Sequence, residues 1–467
     1  MDFSIILQSP EVRQLVQENL LERAFHDALF PGLMFRGEAV PQAWPANSGD
    51  VQIFTAPGLI APKQRPLRPG TDPLPSGYGS EQWEAQLQQY ADSIDTHMPT
   101  SMSAIVNLFM RNAHQLGMSA AQSLNRIVRN RMYNAALSGW TVADGAQAGP
   151  TTTLRVKRLN GFTKARRPDL ATGSPVRFQP VSANNPLPIT VLANAVAEAR
   201  NVIGFTADTA GDEVGPGTLT LDASVSTVLD RAYVYSIDRS NIVRSGGGLK
   251  VDDIIASDTL KLAQIRAAVA AFWQNNVPAH ADGRFHAHAD PTSISQVYDD
   301  DEFQRLNTSL PDYVIYRQFA LGEILNTVFL RNTECPVPQT VQPYDGVTFS
   351  QDDPFAGELY STGVSTGVPI HRVLVSAQGG IFEYFSDLSQ LITEAGVTGK
   401  VAEPRIVNNG IEIMSDRIQL IIRGPLNRLQ DLVSTSWKFI GDWPARTDAA
   451  SGDAARYKRF ITIEHGA

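Results

Sequence analysis

The chain holds a single cysteine, Cys335, among 467 residues. One thiol excludes an intrachain disulfide framework. With no CxxC and no Cys/His partner it makes no zinc site, and it reads as a small apolar filler. No apolar run is long enough to cross a bilayer, although hydrophobic residues make up 43% of the sequence, and the N-terminus lacks the basic, then apolar, then small-residue order of a leader. The expectation is a soluble protein made in the cytoplasm. Basic residues are in deficit, 39 Lys and Arg against 48 Asp and Glu, which argues against a strongly basic surface that coats nucleic acid but leaves room for local basic faces. Internal repeats, low-complexity tracts, a Walker loop and a nucleophile elbow are all missing. Gly246-Gly247-Gly248 lacks the Lys-Ser/Thr of a phosphate loop and reads as a hinge.

What the sequence does contain falls into blocks, and at ~150 residues per domain its length suggests about three domains. Ser9 as cap, Pro10 at the first position and the stripe Val12, Leu15, Val16, Leu20, Phe25 predict a helix running to about Pro31, within an N-terminal arm of residues 1–46. Residues 47–79 are rich in proline and glycine, with one strand-like run around Phe54 and with Lys63, Arg65 and Arg68 between the breakers. So few periodic apolar residues cannot build a core, which predicts either disorder or an extended loop ordered by a neighbouring subunit. Ser80 to His97 and residues 103–138 are predicted helical. On the second, Phe109, Leu116, Ala120, Leu124, Ile127 and Ala135 fall on one side, Arg111, Gln115, Gln122, Arg126 and Arg129 on the other, and Gly139 ends it as a left-handed cap. Residues 145–248 are short β-prone runs between turn residues, an inserted β-rich domain.

From Asp258 to Cys335 the pattern is architectural, with no complete catalytic motif. Asp258 is the predicted cap of a helix with Leu262, Ile265, Val269 and Phe272 on its buried face and Pro278 as its stop. Asp282-Gly283 turns the chain into a strand in which Phe285, Ala287 and Ala289 alternate with His286, His288 and Asp290. His286 and His288, on one side of a strand, resemble the pair that a metal-dependent hydrolase presents to a divalent ion. Only His371 and His465 follow, however, neither in a ligand-like motif. The plainer reading makes the histidines the polar face of the strand and Asp290 the N-cap before Pro291. No catalytic, cofactor or metal residue is therefore assigned. Strand patterns return at IHRVLVS, GIFEYFS, IEIMSD and RIQLIIRG and continue to the end of the chain.

An N-terminal arm, an extended basic Pro/Gly loop, a long helix with LNRIVRNRMYNAALSG, a β insertion, the segment from Asp258 to Cys335 and a terminal group of strands, in this order, resemble the major capsid proteins of tailed bacteriophages, and the stretches AAQSLNRIVRN, ADGRFHAHADP and GEILNTVFLRNTE resemble the actinobacteriophage type in particular. The resemblance implies an α+β, Hong Kong 97-like capsid fold. Its parts would be an N-terminal arm (1–46), an extension loop over an adjacent subunit (47–79), a peripheral domain with a spine helix (80–144), the inserted β-rich domain (145–248), an axial domain (249–400) and further peripheral strands (401–467). It further implies assembly into pentamers and hexamers of an icosahedral virion shell in the bacterial host cytoplasm. A separate scaffolding protein, a portal, a possible decoration protein and packaged double-stranded DNA would be the partners, with no membrane and no cofactor. Under it Phe54, Lys63, Arg65 and Arg68 are inter-subunit loop candidates, and Arg111, Arg126 and Arg129 face DNA. An encapsulin-like compartment with protein cargo is the other shell reading.

Overall fold

In a computed structural model the described residues are 34–45, 49–57, 66, 70, 72, 80–97, 106–166, 175–176, 178–193, 196–248, 251–307, 323–332, 334–335, 369–386, 405–407, 410–415, 417–423, 432–446 and 459–466. The N-terminal helix predicted from Ser9 lies outside them. The chain mixes helix and strand and divides into two compact units: residues 1–52, 84–129 and 381–444 form one, and residues 53–83, 130–380 and 445–467 the other.

The first unit is built on a seven-stranded sheet. Its longest member, Leu432–Asp442, pairs antiparallel with Gln88–His97 in unbroken register from Leu432 opposite His97 to Gly441 opposite Gln88. This corrects the helix predicted for Ser80 to His97, which is two strands, Ser80–Gln86 and Gln88–His97. The Gln, Glu and Ala residues there favour helix locally, but a ten-residue ladder against a long apolar strand outweighs a propensity of a few tenths of a kcal/mol per residue. Gly441 is required by close approach, since a Cβ there would stand 2.3 Å from the Tyr384 carbonyl oxygen. Helix α1, Val106–Ala136, buries Ala113, Leu116, Ala120, Leu124, Val128 and Met132. That spacing of three and four residues marks one face of a 3.6-residue period. Gly139, at φ +78°, follows its last turn; its N–H donates to the Asn160 carbonyl, and a Cβ would lie 2.7 Å from Arg239 Cα.

The second unit contains two six-stranded sheets. The first runs in the order Trp140–Val142, Tyr233–Ser236, Leu187–Ala193, Val196–Ala207, Gly217–Val225, Thr151–Val156, over a core that includes Leu154, Phe162, Ile189, Val191, Val202 and Leu219. Asn241–Arg244 already belongs to the second sheet, whose order is Asn241–Arg244, Phe460–Gly466, Ile370–Ser376, Phe285–Ala289, Thr327–Arg331, Glu323–Ile324. Helix α2 (Leu262–Gln274) lays Leu262, Ile265, Val269 and Phe272 into the core of this sheet, with Phe272 stacked on Phe285 at 4.8 Å. Asp258 does not cap α2. Its carboxylate accepts from the Ile255 N–H, while the start of α2 is capped from elsewhere, Leu262 N–H donating to Asp300 and Lys261 N–H to Gln264. Helices α3 (Pro291–Tyr298) and α4 (Asp301–Asn307) follow the strand Phe285–Ala289, and Asp290 is the N-cap of α3 as predicted, accepting from Thr292 N–H with Pro291 at the first position.

Candidate interaction surfaces and a buried polar cluster

Phe54 sits half-buried on the strand Val51–Pro57, stacked on Trp83 at 6.4 Å, and the Arg446 guanidinium lies over the other ring at 5.2 Å from the Trp83 centroid. Lys63, Arg65 and Arg68 fall outside the described residues. On α1, Arg111 and Arg126 are exposed and Arg129 is half-buried; at 100° per residue the three lie within about a sixth of a turn, on the side of the helix away from Leu116, Ala120 and Leu124. Ile127 and Ala135, predicted for the buried face, are half-exposed. Cys335 is buried.

The two strand histidines have separate environments. Phe285–Ala289 is an interior strand, parallel to Thr327–Arg331 on one side and antiparallel to Ile370–Ser376 on the other. His288 is consequently buried, in register with Leu374, which corrects its assignment to a polar strand face. His286 stays partly exposed, with Nε2 3.1 Å from Asp282 Oδ2 and its ring stacked on that of His280 at 4.1 Å and 7°. The hydrogen bond from His286 holds the Asp282 carboxyl below the ordinary carboxylate range. The His286 and His288 hydrolase arrangement is not formed.

A different set of polar side chains converges on the edge of α3. Asp290 Oδ2 accepts from His371 Nδ1 at 2.8 Å, and its Oδ1 accepts from the Ser293 hydroxyl. Ser293 Oγ also lies 2.8 Å from His465 Nε2, while His465 Nδ1 is 3.1 Å from the Gly466 carbonyl oxygen. His371 and His465 are register partners on antiparallel strands, their rings 5.5 Å apart and 17° from parallel. All four side chains are buried. Burial alone would raise the Asp290 carboxyl, but the hydrogen bonds from His371 and Ser293 prevail and bring it down to about 2. For His465 burial is the largest influence, pushing it down to about 4 against the Gly466 carbonyl, which favours the charged ring. A serine, two imidazoles and a carboxylate in contact are the ingredients of acyl transfer, yet with Ser293 and His465 at 0% exposure no substrate reaches them.

On the opposite side of the same strand Glu464 forms a closed ion triad. Arg372 Nε reaches its Oε1 and Arg244 Nε its Oε2, both at 2.7 Å, and Arg244 also donates to Tyr233 OH and lies over Trp140. Burial would raise the Glu464 carboxyl, but the two guanidiniums lower it. Sequence reading recognised Asp290 as a cap and left His371, His465, Arg372 and Glu464 unassigned. Their meeting depends on the register of two strands about ninety residues apart, which no local spacing encodes.

This chain is similar to solved bacteriophage capsids. The capsid of Ralstonia phage GP4 aligns over 92% of this chain and 88% of that one, with 13% identity and a TM-score of 0.43. For the cyanophage Pam1 capsid asymmetric unit the coverage is 95% and 92%, the identity 9% and the TM-score 0.46. For the capsid of the cyanophage P-SCSP1u the values are 93%, 88%, 10% and 0.45. No protein-family model matches this sequence, and no curated protein matches it.

Proposed function

We propose that this chain is the major capsid protein of a tailed bacteriophage, assembling as pentamers and hexamers into an icosahedral shell around double-stranded DNA. The observation that carries the reading is the succession of parts along the chain. A 31-residue helix precedes nine described strands between residues 151 and 244, and these precede a helix packed on a mixed sheet; a long helix, a β-rich insertion and an axial domain are parts that the sequence resemblance implies, and this supports the reading. Subunit contacts come from residues 47–79, with Phe54, Lys63, Arg65 and Arg68 meeting an adjacent copy, and many individually weak heterologous contacts close into a stable ring. Arg111, Arg126 and Arg129 form the basic face toward packaged DNA, a contact with phosphates that needs no base readout. A separate scaffolding protein and a portal are the partners this reading calls for, with assembly in the host cytoplasm.

Mass photometry of the full chain, purified with and without its scaffolding partner, tests this reading. Masses of five and six subunits together with closed particles are expected. A single-subunit mass at every concentration under both conditions contradicts it, and particles that hold enzyme instead of DNA in infected cells would favour the compartment reading.

A further inference from the structure

The protons around Ser293 do not balance while His465 is neutral. Asp290 accepts the single hydroxyl proton of Ser293. His465 Nε2 must then donate to Ser293 Oγ, yet Nδ1 of the same ring faces the Gly466 carbonyl, which only accepts. A neutral imidazole carries one N–H, so one of these two contacts always lacks its proton. The doubly protonated ring would satisfy both, but it would be a cation with no solvent contact.

The charges around the ring decide which demand prevails. Asp290, at the start of α3, attracts a proton to His465, whereas His371, its stacked partner on Ile370–Ser376, opposes one. Glu464, Arg372 and Arg244, on the other side of the strand, sum to one net positive charge, which does not favour a second cation nearby, and His288, on Phe285–Ala289, is in register with Leu374 rather than with His371. His280 and His286 stand at the far end of Ile370–Ser376, beside Ser376. Burial is the largest influence, and it favours the neutral ring.

We propose that His465 is a proton-operated latch on the strand Phe460–Gly466, holding the strand in the sheet while the imidazole is neutral and releasing it when the ring takes up a proton. The direction follows from linkage. A histidine whose closed-state pKa is depressed contributes full stability above its ordinary value near 6.5, and this contribution is lost as pH falls from there toward about 4. Acid therefore favours the opened strand, in which the ring is hydrated. Release would remove Glu464 from Arg372 and Arg244 at the same time, since Glu464 adjoins His465 on that strand. The inference concerns the fold of a single chain and does not depend on shell assembly.

Hydrogen exchange of the full chain tests it, with protection factors corrected for intrinsic rates at pH 7 and pH 5.5. With pKa values of 6.5 open and about 4 closed, Phe460–Gly466 should lose protection about eightfold over this interval, while Leu432–Asp442 in the other unit should keep its own. His465→Gln, an uncharged side chain that still donates and accepts, should abolish the loss. An equal loss in both strands, unchanged or rising protection of Phe460–Gly466 at pH 5.5, or a loss that persists in His465→Gln would overturn the proposal. Where His465→Gln does not fold, the comparison of the two wild-type strands decides.

Discussion

Arg372 and Glu464 face each other across two antiparallel strands, register partners with Nε and Oε1 2.7 Å apart and neither side chain open to solvent. Arg244 takes the second carboxylate oxygen at the same distance. Glu464→Gln removes the negative charge and leaves two guanidiniums facing a neutral amide, which should cost about 3–5 kcal/mol. Denaturant unfolding of the unassembled subunit reads this directly, and a loss under about 1 kcal/mol would mean that water reaches the site.

Asp290 joins the cap of α3 to the histidine pair. Its carboxyl falls from an ordinary 3.8 to about 2, so its stabilisation, about 2 kcal/mol, is fully present above pH 4 and vanishes as pH falls toward 2. Asp290→Asn should therefore be destabilised by about that amount at pH 7 and by progressively less in acid. A penalty that does not change with pH would assign the effect to helix capping alone.

Leu124, fully buried on α1, is a direct probe of that helix face. Leu124→Ala should cost about 2–5 kcal/mol through lost burial and the cavity left behind. Leu124→Asp buries an unpaired carboxylate and should give insoluble subunit. Wild-type solubility and melting temperature of both variants would show the face to be uncovered.

The opposite face of α1 tests the DNA contact. Replacing Arg111, Arg126 and Arg129 together by alanine should leave empty particles intact and reduce genome retention, with the deficit widening at low ionic strength where phosphate contacts matter most. Equal retention across salt concentrations would make these arginines plain solvated surface.

Much of this molecule is legible in its sequence where a single element decides the outcome. The apolar spacing of Leu116, Ala120 and Leu124, the Asp290-Pro291 cap and the Asp282-Gly283 turn are all local, and each stands where the pattern places it. The composition of Ser80 to His97 favours helix, while the partner that makes Gln88–His97 a strand, Leu432–Asp442, lies more than 300 residues downstream. Burial of His288 is also not local, since alternation along Phe285–Ala289 shows one covered face, the one on which Phe272 stacks, and cannot show that the face of His288 is covered as well. The cluster of Asp290, Ser293, His371 and His465 is further still from view, being a product of register between two strands about ninety residues apart.

Electron microscopy of the full chain, expressed alone and with the proposed scaffolding partner, tests the coat assignment most directly. Closed icosahedral particles of uniform diameter, with five-fold and six-fold clusters of this chain in their walls, are the expected result. A dispersed single subunit in both preparations, folded and soluble yet forming no ring or shell, would contradict it.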